Sequence, residues 1–173
     1  MKIEYCHDDS SALAILEIFN DAILNTTALY EYRERTLEEV LIWLRDKQLG
    51  GWPVLVALDE QGLLLGFASF GPFRHYPANR YTVEHSLYVH PDYRGRGIAK
   101  ALLQRLINEA ISRQCHVMVG AIDANNSVSI RLHERMGFNC AGTVRQAAFK
   151  FGRWLDLAFY QLILETPSCP VEA

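Results

Sequence analysis

Tyr81-Thr82-Val83-Glu84-His85-Ser86-Leu87-Tyr88-Val89 runs directly into His90-Pro91-Asp92-Tyr93-Arg94-Gly95-Arg96-Gly97-Ile98-Ala99. The first segment, rich in β-branched and aromatic residues, reads as a strand. Pro91 ends its ladder because proline has no N–H to donate. A helix follows over Ile98–Ile111, where Ile98, Leu102, Leu106 and Leu103, Ile107, Ile111 form two adjacent i, i+4 rows. Between strand and helix, Gly95 and Gly97 straddle Arg96 and let the backbone turn tightly with its N–H groups to one side. The first turn of a helix has four N–H groups without intrahelical partners, at the positive end of its dipole. With Arg94 and Arg96 beside it, this strand, turn and helix N-terminus read as a pyrophosphate cradle. Gly-Arg-Gly alone is also what a glycine-rich connection with solvated arginines looks like. Two familiar competitors fail on detail: a dinucleotide fingerprint needs a third glycine where Lys100 stands, and no Gly-Lys-Ser/Thr exists for a P-loop.

Outward from this unit, the hydrophobic period predicts alternating elements. Met1–Cys6 is a short strand, and Asp9 or Ser10 caps a helix carrying Leu13, Leu16, Ile18, Phe19 and Ile23. Thr36 with Glu39 makes a capping box for a helix containing Leu37, Val40, Leu41 and Leu44, which Gly50-Gly51 ends. Val54–Leu58 and Leu63–Phe70 flank Asp59-Glu60-Gln61-Gly62 as a hairpin. His116–Ile122 is a strand and Ser127–Met136 a helix closed by Gly137. Cys140–Lys150 and Leu155–Leu164 are two last strands around a Phe151-Gly152-Arg153-Trp154 turn. The order is β-α-α-β-β-β-α-β-α-β-β, a mixed α/β domain on one central sheet. Residues 1–165 form this single domain, and 166–173, with two prolines, form a loose tail.

Composition excludes several classes. The chain has 173 residues, half of them hydrophobic, with 17 Lys and Arg against 20 Asp and Glu for a net charge of −3. That balance suits a globular protein and gives no broad basic face for nucleic acid. No apolar run is long enough to span a bilayer. The N-terminus carries Glu4, Asp8 and Asp9 and has no signal-peptide pattern. Cys6, Cys115, Cys140 and Cys169 are scattered and read as free thiols in a reducing cytoplasm. Neither they nor the six histidines show metal-ligand spacing, so no metal is expected.

The segment Leu87–Ala99 resembles the acetyl-CoA motif of the GNAT superfamily of N-acetyltransferases, with Arg94, Gly97 and Ala99 at its fixed positions. Asn126-Ser127-Val128-Ser129-Ile130-Arg131-Leu132-His133-Glu134-Arg135-Met136-Gly137-Phe138 resembles that superfamily's second motif. Together with Tyr81–Val89, Ser129–His133 and Lys150-Phe151-Gly152-Arg153-Trp154-Leu155-Asp156, the chain is similar to the phosphinothricin/methionine sulfone/methionine sulfoximine N-acetyltransferases. The resemblance implies a GNAT fold: a mixed, mostly antiparallel sheet of about seven strands with about four helices. It implies acetyl-CoA as co-substrate and the α-amino group of a small amino-acid-like acceptor. Leu87, Tyr88 and Val89 would align the pantetheine and thioester, and Arg94, Gly95, Arg96, Gly97, Ile98 and Ala99 would hold the pyrophosphate. Asn126 would contact the pantetheine arm, with His133 near the sulfur. A homodimer, with Lys150–Asp156 near its interface, is implied by the same resemblance.

The chemistry singles out further residues. Acetyl transfer to an amine requires a neutral nucleophile. Glu84 interrupts an apolar strand and is the candidate base, or else one half of a buried ion pair with an arginine. Strand alternation puts Glu84, Ser86 and Tyr88 on one face and Val83, His85, Leu87 and Val89 on the other. His85 reads as a half-buried histidine with no catalytic role. His133, where the wider superfamily often has tyrosine, is open to three roles: acid to the thiolate, bond to the cofactor, or packing. Pro72–Arg80 is the one long aperiodic stretch of the mid-chain. Phe73 could face an apolar part of the acceptor, and Arg74 could clamp its carboxylate or sulfone oxygens. A solvated basic loop is the alternative. The resemblance places the substrate loop here, including His75, with Thr82, Val83, Glu84 and His85 completing the pocket. The rival functions are a related enzyme for a polyamine, aminoglycoside or protein N-terminus, and an acyl-CoA-binding sensor without turnover.

Overall fold

Leu64–Pro72 is buried at every position but the last, as a strand covered on both faces must be. It is the third of seven strands. In the computed structural model, which describes residues 1–6 and 9–172, the elements follow the expected order. They are β1 (Lys2–Tyr5), α1 (Ala12–Asn25), α2 (Leu37–Leu49), β2 (Val54–Leu58), β3 (Leu64–Pro72) and β4 (Thr82–Val89). Then come α3 (Ile98–Ser112), β5 (Val117–Asp123), α4 (Ser127–Arg135), β6 (Asn139–Lys150) and β7 (Arg153–Ile163). The sheet order is β1-β2-β3-β4-β5-β7-β6. Asp8 and the tail's Ala173 lie outside the described residues.

The chain divides into two units, Met1–Phe70 with Ser86–Leu106 and Gly71–His85 with Ile107–Ala173. In the first, β1 and β2 pair antiparallel, as do β2 and β3. Ile15, Ile18 and Phe19 of α1 pack with Val40 and Leu44 of α2 over Val54, Val56 and Phe67 of the sheet. The Phe19 ring meets Trp43, Phe67 and Tyr88 edge-on at 5.3, 4.8 and 5.3 Å. Such edge-to-face pairs each add about 0.5–1.5 kcal/mol beyond burial. The Thr36 capping box is present in full, with Glu39 N–H donating to Thr36 Oγ1 and Thr36 N–H to Glu39 Oε2. At α1 the cap differs from expectation. Asp9–Ser11 forms a 3-10 turn, and Ser11 is the N-cap, without a side-chain bond. Serines and aspartate crowded before a helix cannot by themselves tell which residue is last outside it.

In the second unit β5 runs parallel to β4 (Thr82↔Val117 to His85↔Gly120) and antiparallel to β7. The β6–β7 hairpin turns on Phe151 and Gly152 alone, at φ +52° and +72°. The primed two-residue turn matches strand twist. The expected four-residue turn is therefore shorter, and Arg153 and Trp154 belong to β7. Between Val144 and Ala148 β6 bulges, and Asp156 Oδ1 accepts from the N–H of Gln146 there. The tail has partners: Thr166 Oγ1 donates to Cys115 O at 2.5 Å, and Val171 N–H to the Tyr81 hydroxyl at 3.0 Å.

Candidate active site

The first unit holds the glycine turn. Gly95 and Gly97 sit at φ +78° and +80°, a region where a side chain would be strained, and the space at each Cβ position is open. Helix α3 makes its first bond from Ala101 N–H to Gly97 O. The N–H groups of Ile98, Ala99 and Lys100 precede it and are available to an anion. Arg96 donates to Asp92 O at 3.2 Å and lies over the Tyr93 ring at 5.0 Å, its charge in no ion pair among the described residues. Arg94 is placed differently. Its guanidinium pairs with Asp21 of α1 at 2.6 Å and also donates to Val89 O at 3.3 Å. The pair is half-exposed and contributes at most about 1 kcal/mol, yet it fixes where the arginine points.

On the approach to this turn, a Cβ on Gly66 would stand 2.7 Å from Tyr88 O and 3.2 Å from Val89 Cα. Only glycine lets β3 lie this close to the Tyr88–Val89 backbone. Leu87, Tyr88 and Val89 are half-buried, and His90 N–H pairs with Leu65 O.

The second unit holds three titratable side chains near one another in sequence or space, Glu84, His85 and His133. Glu84 is half-buried on β4, and burial raises its carboxyl above the usual carboxylate range. Among the described residues it makes no ion pair, so the expected alternative of an arginine partner is absent. Thr82 is half-buried and Val83 is sealed in the core. His85 is also buried, stacked on His133 with ring centroids 5.0 Å apart and Nε2 to Nε2 3.0 Å. Both rings meet Phe138 edge-on, at 5.8 and 5.1 Å. His133 Nδ1 lies 2.7 Å from Ser129 O, so both its nitrogens have partners within the protein. Burial lowers both imidazoles, His85 to about 3 with His133 contributing. His85 Nδ1 has no partner among the described residues. Leaving such a group unpaired costs about 1–3 kcal/mol.

Asn126 caps α4, its Oδ1 accepting from Ser129 N–H at 3.1 Å. In the loop, Phe73 N–H donates to Thr82 O, and the exposed Arg74 lies 5.8 Å over the Phe73 ring. Arg74 makes no ion pair among the described residues, and His75 is exposed. Two residues that shape these groups were not singled out by sequence, Asp21 and Gly120, and Ser129 entered only as part of a motif. A Cβ on Gly120 would stand 2.8 Å from His85 Nε2 and 3.1 Å from His133 Nε2. A glycine in mid-strand was the available signal.

A glycine turn opens onto a helix N-terminus, and the strand before it carries the Glu84 carboxyl. The chain belongs to the acetyltransferase (GNAT) family, whose model matches residues 14–138. It is 47% identical over 165 residues to the L-methionine sulfoximine/L-methionine sulfone acetyltransferase of Salmonella typhimurium, covering 94% of this chain and 95% of that protein. It is 44% identical to an L-amino acid N-acyltransferase of Escherichia coli, over 91% of each chain. Among solved structures, a GNAT superfamily phosphinothricin acetyltransferase from Sinorhizobium meliloti in complex with acetyl-CoA superposes with a TM-score of 0.93. That match is 34% identical and covers 98% of this chain and 91% of the other.

Proposed function

We propose that this chain transfers the acetyl group of acetyl-CoA directly onto the α-amino group of a small amino acid. The proposed acceptors are methionine sulfone, methionine sulfoximine and, as a further acceptor, phosphinothricin. The observation that carries the reading is Glu84: a carboxyl raised by burial, without an ion-pair partner among the described residues, on the strand that leads into the glycine turn. The relatives' activities support the acceptor class. The residues fit the donor. Two positive-φ glycines leave the turn open above the first N–H groups of α3, and Arg96 carries an uncommitted charge beside it.

Acetyl-CoA supplies an activated thioester whose thiol leaves with a pKa of about 8–9, if it resembles cysteine. The chain's own residues do the rest. Ile98, Ala99 and Lys100 N–H groups with Gly95, Gly97 and Arg96 hold the phosphates, and Arg94 fixes the turn against α1. Leu87, Tyr88 and Val89 align the thioester arm, with backbone N–H groups available to its carbonyl oxygen. The motif that Asn126 opens supports a contact from its side chain to the cofactor. An α-amino group of pKa about 8 is about one-tenth neutral at pH 7, so a modest base suffices. Glu84 accepts the ammonium proton, directly or through water. Arg74 and Phe73, with His75, Thr82 and the backbone of Val83 and His85, receive the acceptor. Positioning of this kind contributes up to about 7–11 kcal/mol in favourable cases.

Among the described residues no helix is long and apolar enough to cross a membrane, and no cysteine is in a disulfide. The proposed location is the cytoplasm, where thiols stay reduced. Phe149, Phe151 and Trp154 are exposed together on the β6–β7 hairpin, which supports a homodimer through that face. An acceptor panel with acetyl-CoA, read by thiol release, tests the function. Turnover with methionine sulfone and sulfoximine well above that with spermidine, an aminoglycoside or a peptide is expected. Preference for a polycation or peptide would overturn the acceptor class. Tight acetyl-CoA binding with no turnover on any amine would identify a sensor.

A further inference from the structure

The histidine pair lies outside the proton path just described, and its geometry settles the tautomers. Ser129 O can only accept, so His133 carries its proton on Nδ1. At 3.0 Å the two facing Nε2 atoms cannot both be protonated, so the neutral His133 accepts at Nε2 and His85 donates from Nε2. His85 Nδ1 is then the bare, buried acceptor left without a partner among the described residues. The carbonyl at the end of these bonds cannot pass a proton on, and the Ser129 hydroxyl stands farther off, 3.4 Å from the same Nδ1. The pair is also held in place: Gly120 leaves room for both Nε2 atoms, and the Phe138 ring edges onto both imidazoles.

We propose that His85 is a positioning residue. By donating its Nε2–H to His133 Nε2, it ties helix α4 to strand β4 and keeps His133 out of the proton chemistry of acetyl transfer. The tie runs from the residue after Glu84 to the helix that Asn126 caps. The inference rests on the acetyltransferase reading for its functional consequence, but not for the tautomers. The departing thiol then leaves without an imidazole acid, which its low pKa permits.

Nitrogen NMR of the histidine side chains in the wild-type protein gives the first test, and it does not depend on activity. His133 is expected as the Nδ1–H tautomer, titrating below the usual histidine range, and His85 as Nε2–H, not titrating between about pH 5.5 and 8.5. An Nε2–H His133, or one that titrates at or above the usual histidine value, overturns the proposal even if the enzyme proves to act on another amine. Kinetics give the second. His85→Phe and His133→Phe should each lower kcat about two- to tenfold, as loss of one hydrogen bond does. The double variant should be no worse, and the shape of the kcat pH profile should persist in all three. Disappearance of the basic limb in His133→Phe alone would make His133 the acid and overturn the proposal.

Discussion

Gly120→Ala adds one methyl group where both imidazoles already stand. Its carbon would fall 2.8 Å from His85 Nε2, 3.1 Å from His133 Nε2 and 3.3 Å from His133 Cδ2. Ordinary contacts begin near 3.4 Å, so His85 must retreat by several tenths of an ångström. The rings are rigid, Phe138 blocks them on one side, and His133 is anchored to Ser129 O. Overpacking of this kind costs about 1–3 kcal/mol. If the rings part, the bond between them adds about 0.5–1.5 kcal/mol. Alanine returns about 0.4–1 kcal/mol by restricting the unfolded chain. The net expectation is a loss of about 1–3 kcal/mol. In urea this lowers the midpoint by roughly 0.5–1.5 M at an m-value near 2 kcal/mol/M, with m unchanged. An unaltered or higher midpoint would refute the reasoning, because it would mean that the rings do not stand against this glycine.

Three further outcomes are expected. Glu84→Gln should lower kcat about 10–100-fold near pH 6–7, with the deficit shrinking as pH approaches the amine's own pKa of about 8; a deficit independent of pH would remove Glu84 as base. Arg96→Glu should raise the KM for acetyl-CoA at least about tenfold, since it reverses an uncommitted charge at the proposed phosphate site; an unchanged KM excludes that role. Stability should fall with acid through the buried imidazoles: a folded pKa of about 3 for His85 against 6.5 unfolded means that the unfolded state binds more protons between these values. From pH 7 to pH 5 this removes about 2 kcal/mol for His85, with His133 acting in the same direction. Glu84, whose pKa is raised, acts oppositely in the window above 4.5. Denaturant titrations at the two pH values should show a shallower decline in His85→Phe, and equal declines would exclude the buried neutral pair.

Local chemistry was legible in the sequence wherever neighbours in the chain create it. The Thr36–Glu39 box, the two apolar rows of α3 and the Gly95/Gly97 turn each rest on residues a few positions apart. Element order followed, because apolar period and punctuation suffice for it. Contacts between distant residues were not legible. Arg94 carries the mark of an anion ligand, but Asp21, 73 residues earlier, takes up its guanidinium. His85 and His133 are 48 positions apart, and neither spacing nor period announces that they stack. The tail reads as loose by composition, whereas Val171 meets a tyrosine hydroxyl 90 residues away. The hairpin turn was read too long because Phe151 adopts φ +52°, an uncommon choice for a bulky residue that only the paired strands can impose. Glu84 was legible as an anomaly in an apolar strand, but its lack of an ion-pair partner among the described residues required the fold.

The central claim is direct acetyl transfer to an α-amino nitrogen, and the fate of the acetyl carbon tests it most directly. With carbonyl-labelled acetyl-CoA and L-methionine sulfone, NMR of the products should show the label in a single amide on the α-nitrogen. None should remain on the protein after gel filtration. Label retained in acetyl-CoA, or bound covalently to the chain, would contradict the account.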